Sequence, residues 1–372
     1  MKTRIILVVF AFFAILYSCK KTSNQPAEVT NNLSLPAYPA AYYGVSNLDQ
    51  IATLGRVLFY DKHLSVNNAI SCGSCHKQAA GFADNVALSL GVENTLTRRN
   101  SISIQNINAR TPGFNYGDTM FNANSAFFWD GRENNIANLI LRPVTNHVEM
   151  GIIDQSTLPS KIAAIPYYAS LFNSAYGSSL VTPYRISSAI AMFINAINTG
   201  NSRFELSARN PNPANGSPGL NALEIQGMQL FTGKYNCNGC HQTIGGNGSY
   251  NTETNFMNNG LDITYTDPGL SALTGNSLDF GKFKAPELHN IALTAPYMHD
   301  GRFKTLDDVL NFYSTGIQNS PNLDSRLRDA YGNPAKLNIT EADKTALKAF
   351  LNSLTDYKMV TDPKFSDPFA HQ

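Results

Sequence analysis

The stretches that decide the fold are "CGSCHK" at residues 72–77 and "CNGCHQ" at residues 237–242. Each places two cysteines three positions apart and follows the second cysteine at once with a histidine. Four of the five cysteines in this 372-residue chain lie in these two stretches. In exported proteins, cysteines usually form disulfides that are scattered along the chain. The concentration of cysteines in two short stretches therefore needs a different explanation.

C-x-x-C-H is the attachment signature of c-type haem. Two thiols at this spacing can each add to one vinyl group of the porphyrin, and the histidine then lies under the iron as proximal ligand. A C-x-x-C redox disulfide needs no histidine, and a zinc site needs both pairs in one place. Two such pentapeptides by chance are far less expected than one. The sequence therefore predicts two covalent haem c groups, held by Cys72, Cys75 and His76 and by Cys237, Cys240 and His241.

The composition, 43% hydrophobic and 15% charged, is that of an ordinary soluble globular protein. The length fits one large domain or two ordinary ones. A formal net charge of +1 gives no indication of nucleic acid or an acidic surface as a main partner.

The N-terminus has the pattern of an export signal. Two basic residues precede an apolar run at 5–17, which is shorter than the roughly 20 residues of a spanning helix. The run ends in "LYSC", which resembles a bacterial lipobox. On this interpretation residues 1–18 are a signal peptide, Cys19 is lipidated and anchors the chain to a membrane, and 19–46 form a flexible tether. An ordinary cleaved signal and an uncleaved anchor are the alternatives, and all three place the folded part outside the cytosol.

An internal repeat follows the two haem motifs. "NINARTP" at 106–112 comes after the first motif, and "NIALTAP" at 290–296 comes after the second. "WDGR" at 129–132 and "HDGR" at 299–302 then correspond in the same order. Repeated motifs in the same order indicate a duplicated domain.

We therefore predict two haem domains in tandem, at 47–200 and 201–360, followed by a tail at 361–372. Segments 181–197 and 340–354 have apolar residues at helical spacing. Few segments alternate strictly, so the predicted fold class is mostly α.

Further motifs between residues 54 and 356 have a family resemblance in their order and spacing: "GRVLFYDKHLS", "GFAD", "FWDGR", "PVTNHVEMG", "NSRFE", "TAPYMHDGR" and "LDDVLNFYSTG". With the two haem motifs, they resemble the bacterial di-haem cytochrome c peroxidases, including the MauG-type enzymes. The resemblance implies two cytochrome c-like helical domains. It also implies that the C-terminal haem handles electrons from a small cytochrome c or cupredoxin, and that the N-terminal haem reacts with hydrogen peroxide. Family members are often homodimers, although no residue here identifies such an interface.

The resemblance assigns roles to two residues. Trp129, the single tryptophan, matches the family tryptophan that lies between the haems and couples them; the alternative is an ordinary core aromatic. Glu149 matches the distal carboxylate that acts as general acid and base on peroxide; the alternative is a solvated surface glutamate.

Two positions near the N-terminal haem depart from the family pattern. The position of a glutamine usual in the family's distal pocket is occupied by Leu139 here. A hydrogen-bond donor to bound peroxide is therefore missing, unless Asn138 or Asn146 replaces it. The second histidine that blocks this haem in many members is Val92 here. We therefore predict an open N-terminal haem, with His147 and His63 as the remaining candidates for a sixth ligand.

A further expectation concerns the haem of the C-terminal half. The sixth ligand of its haem is predicted to be Tyr313, as in MauG-type enzymes, on the apolar face of a helix capped by Thr305. A tyrosine ligand lowers the iron potential, whereas methionine raises it. The alternatives are a core tyrosine, with Met298 as the fallback ligand.

Calcium is the second implied cofactor. Asn100, Thr294 and Pro296 match family positions that hold a calcium ion between the domains, where simple turn chemistry is the alternative. Arg132 and Arg302 contact haem propionates or neighbouring carboxylates, or serve as plain turn residues.

The sequence thus predicts a periplasm-facing, membrane-anchored di-haem peroxidase that reduces hydrogen peroxide. The first alternative is a MauG-type oxidase of a protein or organic substrate, favoured by Tyr313, Val92 and Leu139 together. The second is a non-enzymatic electron carrier or peroxide sensor, in which Glu149 is incidental.

Overall fold

The computed structural model describes residues 42–107, 126–210, 219–241 and 256–369. The predicted signal peptide, Cys19 and most of the tether lie outside the described residues. In the described ranges, no helix combines the length and apolar character needed to cross a membrane.

Helices form most of the regular structure. In chain order the α-helices are α1 Ser46–Tyr60, α2 Cys72–Cys75, α3 Ile136–Thr145, α4 Leu158–Ala163, α5 Pro166–Tyr176, α6 Pro183–Ala196, α7 Arg203–Arg209, α8 Ala222–Gln229, α9 Ser271–Thr274, α10 Leu306–Asn311, α11 Glu341–Ser353 and α12 Tyr357–Thr361. Single 3₁₀ turns lie at Lys62–Leu64, Gln78–Ala80, Val92–Asn94, Gln155–Thr157, Cys237–Gly239, Ser277–Asp279, Ile291–Leu293, Ser325–Leu327 and Pro363–Phe365. π-helical turns follow α8 and α10, at Leu230–Lys234 and Phe312–Gly316. Strands β1 Phe256–Met257 and β2 Phe283–Lys284 pair antiparallel. The prediction of a mostly α fold is confirmed.

The first haem motif follows a crossing of two long helices, α1 and α6. Thr182 caps α6 by accepting a hydrogen bond from the Arg185 backbone N–H. A Cβ at Gly55 would lie 1.9 Å from the Ala189 carbonyl oxygen, so a glycine is required for α1 to approach α6 this closely. Both helices bury their apolar faces in one large core cluster.

The second half repeats this crossing with α8 and α11. A Cβ at Gly227 would lie 1.9 Å from the Ala346 carbonyl oxygen, and 2.7 Å from the Phe350 Cβ. Thr340 caps α11 through the Asp343 backbone N–H, as its sequence position predicts. Each half thus has an equivalent pair of crossing helices, with the glycine of the crossing in the helix that precedes the haem motif.

The paired "DGR" motifs form matching tight hairpins. Phe127 bridges to Glu133 in the first, and Tyr297 bridges to Phe303 in the second, both antiparallel. The second residue of each hairpin has a positive φ, 65° at Phe128 and 76° at Met298.

The matched asparagines of the "NI" motifs share a left-handed conformation, with φ of 55° at Asn106 and 57° at Asn290. Asparagine is one of the few residues other than glycine that adopts this conformation readily. The repeat predicted from the sequence is therefore present in the backbone geometry. The boundary at residue 200 stays a prediction.

Residues 357–369, here named the C-terminal strap, return to the first half of the chain. Phe365 is 2% exposed and belongs to the core cluster that contains α1 and α6. The Tyr60 hydroxyl donates to the Phe365 carbonyl at 2.6 Å, and Arg56 Nε donates to the Ser366 carbonyl at 2.6 Å.

Candidate active site

The first C-x-x-C-H motif is positioned by the end of α1. Its two cysteines lie at the ends of the one-turn helix α2, where the Ser71 backbone N–H donates to Ser74 Oγ at 3.0 Å. A Cβ at Gly73 would lie 2.4 Å from the Tyr60 ring, so the Tyr60 ring packs directly against the motif.

Both motif histidines are oriented in the same way. Nδ1 of His76 lies 3.0 Å from the Phe82 carbonyl oxygen, and Nδ1 of His241 lies 3.0 Å from the Pro286 carbonyl oxygen. A carbonyl only accepts, so Nδ1 carries the proton and Nε2 keeps the lone pair that binds a metal. Burial lowers the pKa of both rings, which favours the neutral form that a ligand needs.

The second motif opens into a cavity of about 230 Å³. Cys237, Cys240 and His241 line it together with a largely apolar wall that includes Phe231, Leu310, Ile339, Leu347 and Leu351. All four motif thiols are free of disulfides. Free thiols, a fixed imidazole and an apolar cavity fit a covalently attached porphyrin.

The zinc alternative finds no support in the described part of the chain, where no group of three or more His, Cys, Asp or Glu side chains is arranged to hold a metal ion.

Glu149 lies beside the first haem motif. Its charge contributes, after burial, to the raised pKa of about 12 at Cys72 and about 11 at Cys75. Asn146 Nδ2 donates to Glu149 Oε1 at 2.9 Å, while Asn146 Oδ1 accepts from the Val148 backbone N–H at 2.9 Å. Burial raises the pKa of Glu149, and this shift is partly offset by Arg132 and by the Asn146 hydrogen bond.

Of the two asparagines considered as replacements for the missing glutamine, the structure therefore brings Asn146 to the carboxylate. Asn138 is exposed. Leu139 is partly buried and packs against the first core cluster.

The Val92 position is apolar and closed. Val92 is 4% exposed, and its backbone N–H donates to the Glu149 carbonyl at 3.0 Å. His147 is exposed, and Nδ1 of His63 lies 2.7 Å from Asp61 Oδ1. None of these contacts brings a histidine to the position opposite His76.

Trp129 lies in the cavity of the second motif. Its Nε1 donates to the Asn100 carbonyl at 2.9 Å. Ile102 packs against the hydrophobic cluster that contains Trp129. A hydrogen bond between the Ile102 backbone and the His76 ring also opposes the lowering of the His76 pKa by burial. The short segment 100–102 therefore connects the tryptophan to the first motif.

Tyr313 and Met298 both line the cavity with His241. Tyr313 lies in the π-helical turn after α10, and Thr305 caps α10 through the Asp308 backbone N–H. The side-chain amide of Asn259 lies 3.4 Å from Tyr313 Oη and 3.7 Å from Met298 Sδ. Burial raises the pKa of Tyr313 to about 12, and the Asn259 hydrogen bond opposes this shift.

The three residues predicted to bind calcium line the same cavity as Trp129. Asn100 Nδ2 donates to the Val86 and Ala87 carbonyls, at 3.1 Å and 3.2 Å. Thr294 Oγ1 donates to the Ile291 carbonyl at 3.3 Å.

The two "DGR" arginines bind neighbouring carboxylates. Arg132 Nη1 lies 3.0 Å from Asp130 Oδ1, and its guanidinium stacks 3.6 Å from the centre of the Phe128 ring. Arg302 forms a two-pronged contact with Asp262, at 2.9 Å and 2.7 Å.

Sequence reasoning missed most of the polar residues that line the cavity, among them Asn259, Lys284 and Arg326. Lys284 is only 3% exposed, and Arg326 donates to the Gly239 carbonyl inside the second motif. Asn259 lies in a stretch, 251–277, that is rich in polar residues and contains none of the motifs. The burial of Lys284, within strand β2, is not visible in the sequence, because it depends on contacts with residues that are distant along the chain.

Comparison with known proteins agrees with this geometry. The profile of the family described as di-haem cytochrome c peroxidase matches residues 49–212. The chain is 32% identical to the cytochrome c551 peroxidase of Nitrosomonas europaea, over 74% of this chain and 75% of that protein. It is 28% identical to the methylamine utilization protein MauG of Methylorubrum extorquens, over 81% of this chain and 77% of that protein.

Among solved structures, a MauG-like protein associated with microbial copper homeostasis superposes with a TM-score of 0.72 at 29% identity. That match covers 86% of this chain and 93% of the other. Two haem motifs in matching helical halves, and a relative of this identity and coverage, place the chain in the di-haem cytochrome c peroxidase family.

Proposed function

We propose that this protein is a di-haem peroxidase that reduces hydrogen peroxide at the haem held by Cys72, Cys75 and His76. Electrons come from a small cytochrome c or cupredoxin and enter through the second haem motif. When bound, the haems supply the redox chemistry, in which hydrogen peroxide takes up two electrons and two protons and yields two molecules of water. The observation that carries the proposal is the Glu149 carboxylate beside the first motif, with its raised pKa and its Asn146 partner.

Glu149 is suited to move a proton within bound peroxide. A carboxylate with a raised pKa accepts the proton of one peroxide oxygen and returns it to the departing oxygen more readily than an ordinary surface carboxylate. Asn146 holds Oε1, which leaves Oε2 to face the substrate. Because the Val92 side chain has no atom that can bind iron, it supports an N-terminal haem that is open to peroxide.

Trp129 is proposed as the electronic link between the two motifs. Its ring lies in the cavity of the second motif, and segment 100–102 connects it to His76. Both motif histidines keep Nε2 available as proximal ligand.

Glu149→Gln tests the proposal. The amide keeps the shape and the Asn146 contact but does not transfer the proton, so peroxide turnover should fall about 10²- to 10⁴-fold. The absorbance of the two bound haems should stay unchanged. Glu93→Gln, at an exposed glutamate, is the matched control and should turn over like the parent. Unchanged turnover in Glu149→Gln would favour the electron-carrier or sensor alternative.

A MauG-type oxidase is the second candidate, because Tyr313 lies in the cavity of the second motif and both Val92 and Leu139 are apolar. Such an enzyme uses peroxide to oxidise a protein or organic substrate. Fast peroxide-dependent oxidation of a reduced small cytochrome would decide for the peroxidase. Slow oxidation, with an intact peroxide reaction, would decide for the oxidase.

Calcium, lipid and location complete the proposal. The Asn100 amide nitrogen is used by two carbonyls, which leaves its oxygen for a hard cation beside Thr294 and Pro296. Metal analysis of the purified holoprotein should find one calcium per chain.

Cleavage before Cys19 and lipidation there would anchor the protein on the periplasmic side of a membrane, and mass spectrometry of the mature N-terminus checks this.

A further inference from the structure

Two candidate iron ligands, the oxygen of Tyr313 and the sulfur of Met298, lie in the cavity of the second motif. The side-chain amide of Asn259 contacts both. Asn259 Nδ2 lies 3.4 Å from Tyr313 Oη and 3.7 Å from Met298 Sδ. An amide nitrogen carries two hydrogens, one for each of these contacts. The contact to the tyrosine oxygen is longer than the optimum of about 2.9–3.0 Å, so the amide is shared between the two acceptors.

The orientation of this amide is set by the backbone. Asn259 Oδ1 accepts from the Leu261 N–H at 3.2 Å, and a backbone N–H only donates. The Leu261 N–H is shared with Tyr265 Oη, at 2.9 Å, and its contact with Oδ1 favours the orientation in which the Asn259 nitrogen points toward the tyrosine and the methionine.

The loop that carries Asn259 is itself held at both sides. The Gln318 backbone N–H donates to the Gly260 carbonyl at 2.7 Å, and Asn258 Nδ2 donates to Ser320 Oγ at 2.8 Å. A Cβ at Gly260, which has a φ of 73°, would lie 2.8 Å from the Gln318 carbonyl oxygen. The amide is therefore presented by a constrained segment, as a group that orients a ligand must be.

Met298 and Tyr313 are also held by local structure. Met298 has a φ of 76°, which a non-glycine residue adopts only when its surroundings enforce it. Tyr313 lies in a π-helical turn, a feature that is frequent at functional sites. Its ring packs edge-to-face on Phe312, with 4.9 Å between ring centres.

The two donors have opposite effects on a haem iron. Tyrosine binds as an anion and lowers the potential, whereas methionine binds as a neutral thioether and raises it. A hydrogen bond to an anionic oxygen is about twice as strong as one between neutral groups, and a thioether is only a weak acceptor. An amide that contacts both therefore stabilises the tyrosinate more than it stabilises the thioether.

We propose that Asn259 is a positioning residue that sets the sixth ligand of the haem at His241, by favouring the Tyr313 oxygen over Met298 Sδ. The inference rests on the proposed function for the presence of that haem and of its tyrosine ligand. It adds a residue outside the ligand set that decides between the two candidates.

Asn259→Asp in the full-length holoprotein is the decisive variant. The carboxylate keeps an oxygen for the Leu261 N–H but has no hydrogen to donate to Tyr313, so the ligand should change to Met298. The ferric charge-transfer absorbance should change to the thioether type, and the midpoint potential of this haem should rise. Adding Met298→Leu should abolish the thioether absorbance. Asn319→Asp, at an exposed asparagine, is the matched control and should leave both readouts unchanged.

Tyr313→Phe separates the possible failures. If Tyr313→Phe changes the absorbance and potential while Asn259→Asp leaves both as in the parent, the role of Asn259 is wrong and the tyrosine assignment stands. If neither Tyr313→Phe nor Met298→Leu changes the absorbance of a protein that holds two haems, the ligand pair itself is wrong. A holoprotein with one haem would instead refute the proposed function.

Discussion

Glu149 combines a negative charge that the proposed peroxide chemistry uses with buried surroundings that disfavour this charge. Its identity is readable from the "HVEMG" stretch, because the family motif is local in sequence. Its contacts with Asn146 and Arg132 were not predicted from the sequence. Asn146 reaches it because the chain turns after α3, and Arg132 approaches from a separate hairpin. The role of Glu149 is implied by the family resemblance, whereas the groups that set its pKa depend on tertiary contacts.

Glu149→Gln should stabilise the protein at neutral pH while it lowers turnover. Because burial raises the folded-state pKa above the ordinary 4.5, the folded protein binds this proton more tightly than the unfolded chain does. Parent stability is therefore lost as the pH rises from about the ordinary value through the folded pKa. Glutamine does not titrate, so the two proteins should melt alike near pH 4, and the variant should have the higher Tm at pH 7. Thermal unfolding of both holoproteins at these two pH values tests this, with Glu93→Gln as control. An equal difference at both pH values would contradict it.

The helix pairs α1–α6 and α8–α11 are the elements that present the two haem motifs. Apolar spacing predicted α6 and α11 close to their observed bounds, and the Thr305 cap was predicted for α10. The glycine crossings were not predicted, because a close approach is a property of two helices that are distant in sequence. Gly55 and Gly227 carry no local feature that separates them from other glycines.

Gly55→Ala and Gly227→Ala should each destabilise the protein by about 1–3 kcal/mol, because the new methyl group collides with a backbone carbonyl across the crossing. This loss should outweigh the gain in helix propensity, which is about 1 kcal/mol. Thermal or denaturant unfolding of the holoprotein measures the effect. Gly233→Ala is the control, since nothing lies within 4 Å of its added Cβ. Equal stability of all three variants would show that the helices separate without cost.

At the scale of the whole molecule, the sequence predicted two tandem halves but not how the chain ends. The final residues were set apart as a tail. In the structure the C-terminal strap fills part of the first core, and Gln78 Nε2 adds hydrogen bonds to the Met359 and Asp362 carbonyls, at 3.1 Å and 2.9 Å. Nothing in the strap's composition identifies which half it contacts.

Phe365→Ala should cost about 3–5 kcal/mol, because it removes a buried aromatic ring from a close-packed core. The loss should appear as an earlier unfolding of the half that carries His76, followed by the absorbance of its haem. Tyr357→Ala is the matched control, because Tyr357 is 67% exposed and its loss should be nearly neutral. Simultaneous early unfolding of both halves, or no change in either, would contradict the assignment of the strap to the first half.

The C-terminal strap also sets an order of biogenesis. A ribosome makes the first half early, yet residues 357–369, which complete its core, are synthesised only after the second half. Among the described residues, the core cluster that contains α8 and α11 draws only on positions between 204 and 354. The first half should therefore mature after the second, and a fragment ending near residue 200 should need the strap supplied separately. Joining residues 357–369 to that fragment, as in a circular permutation, would restore the missing part of its core.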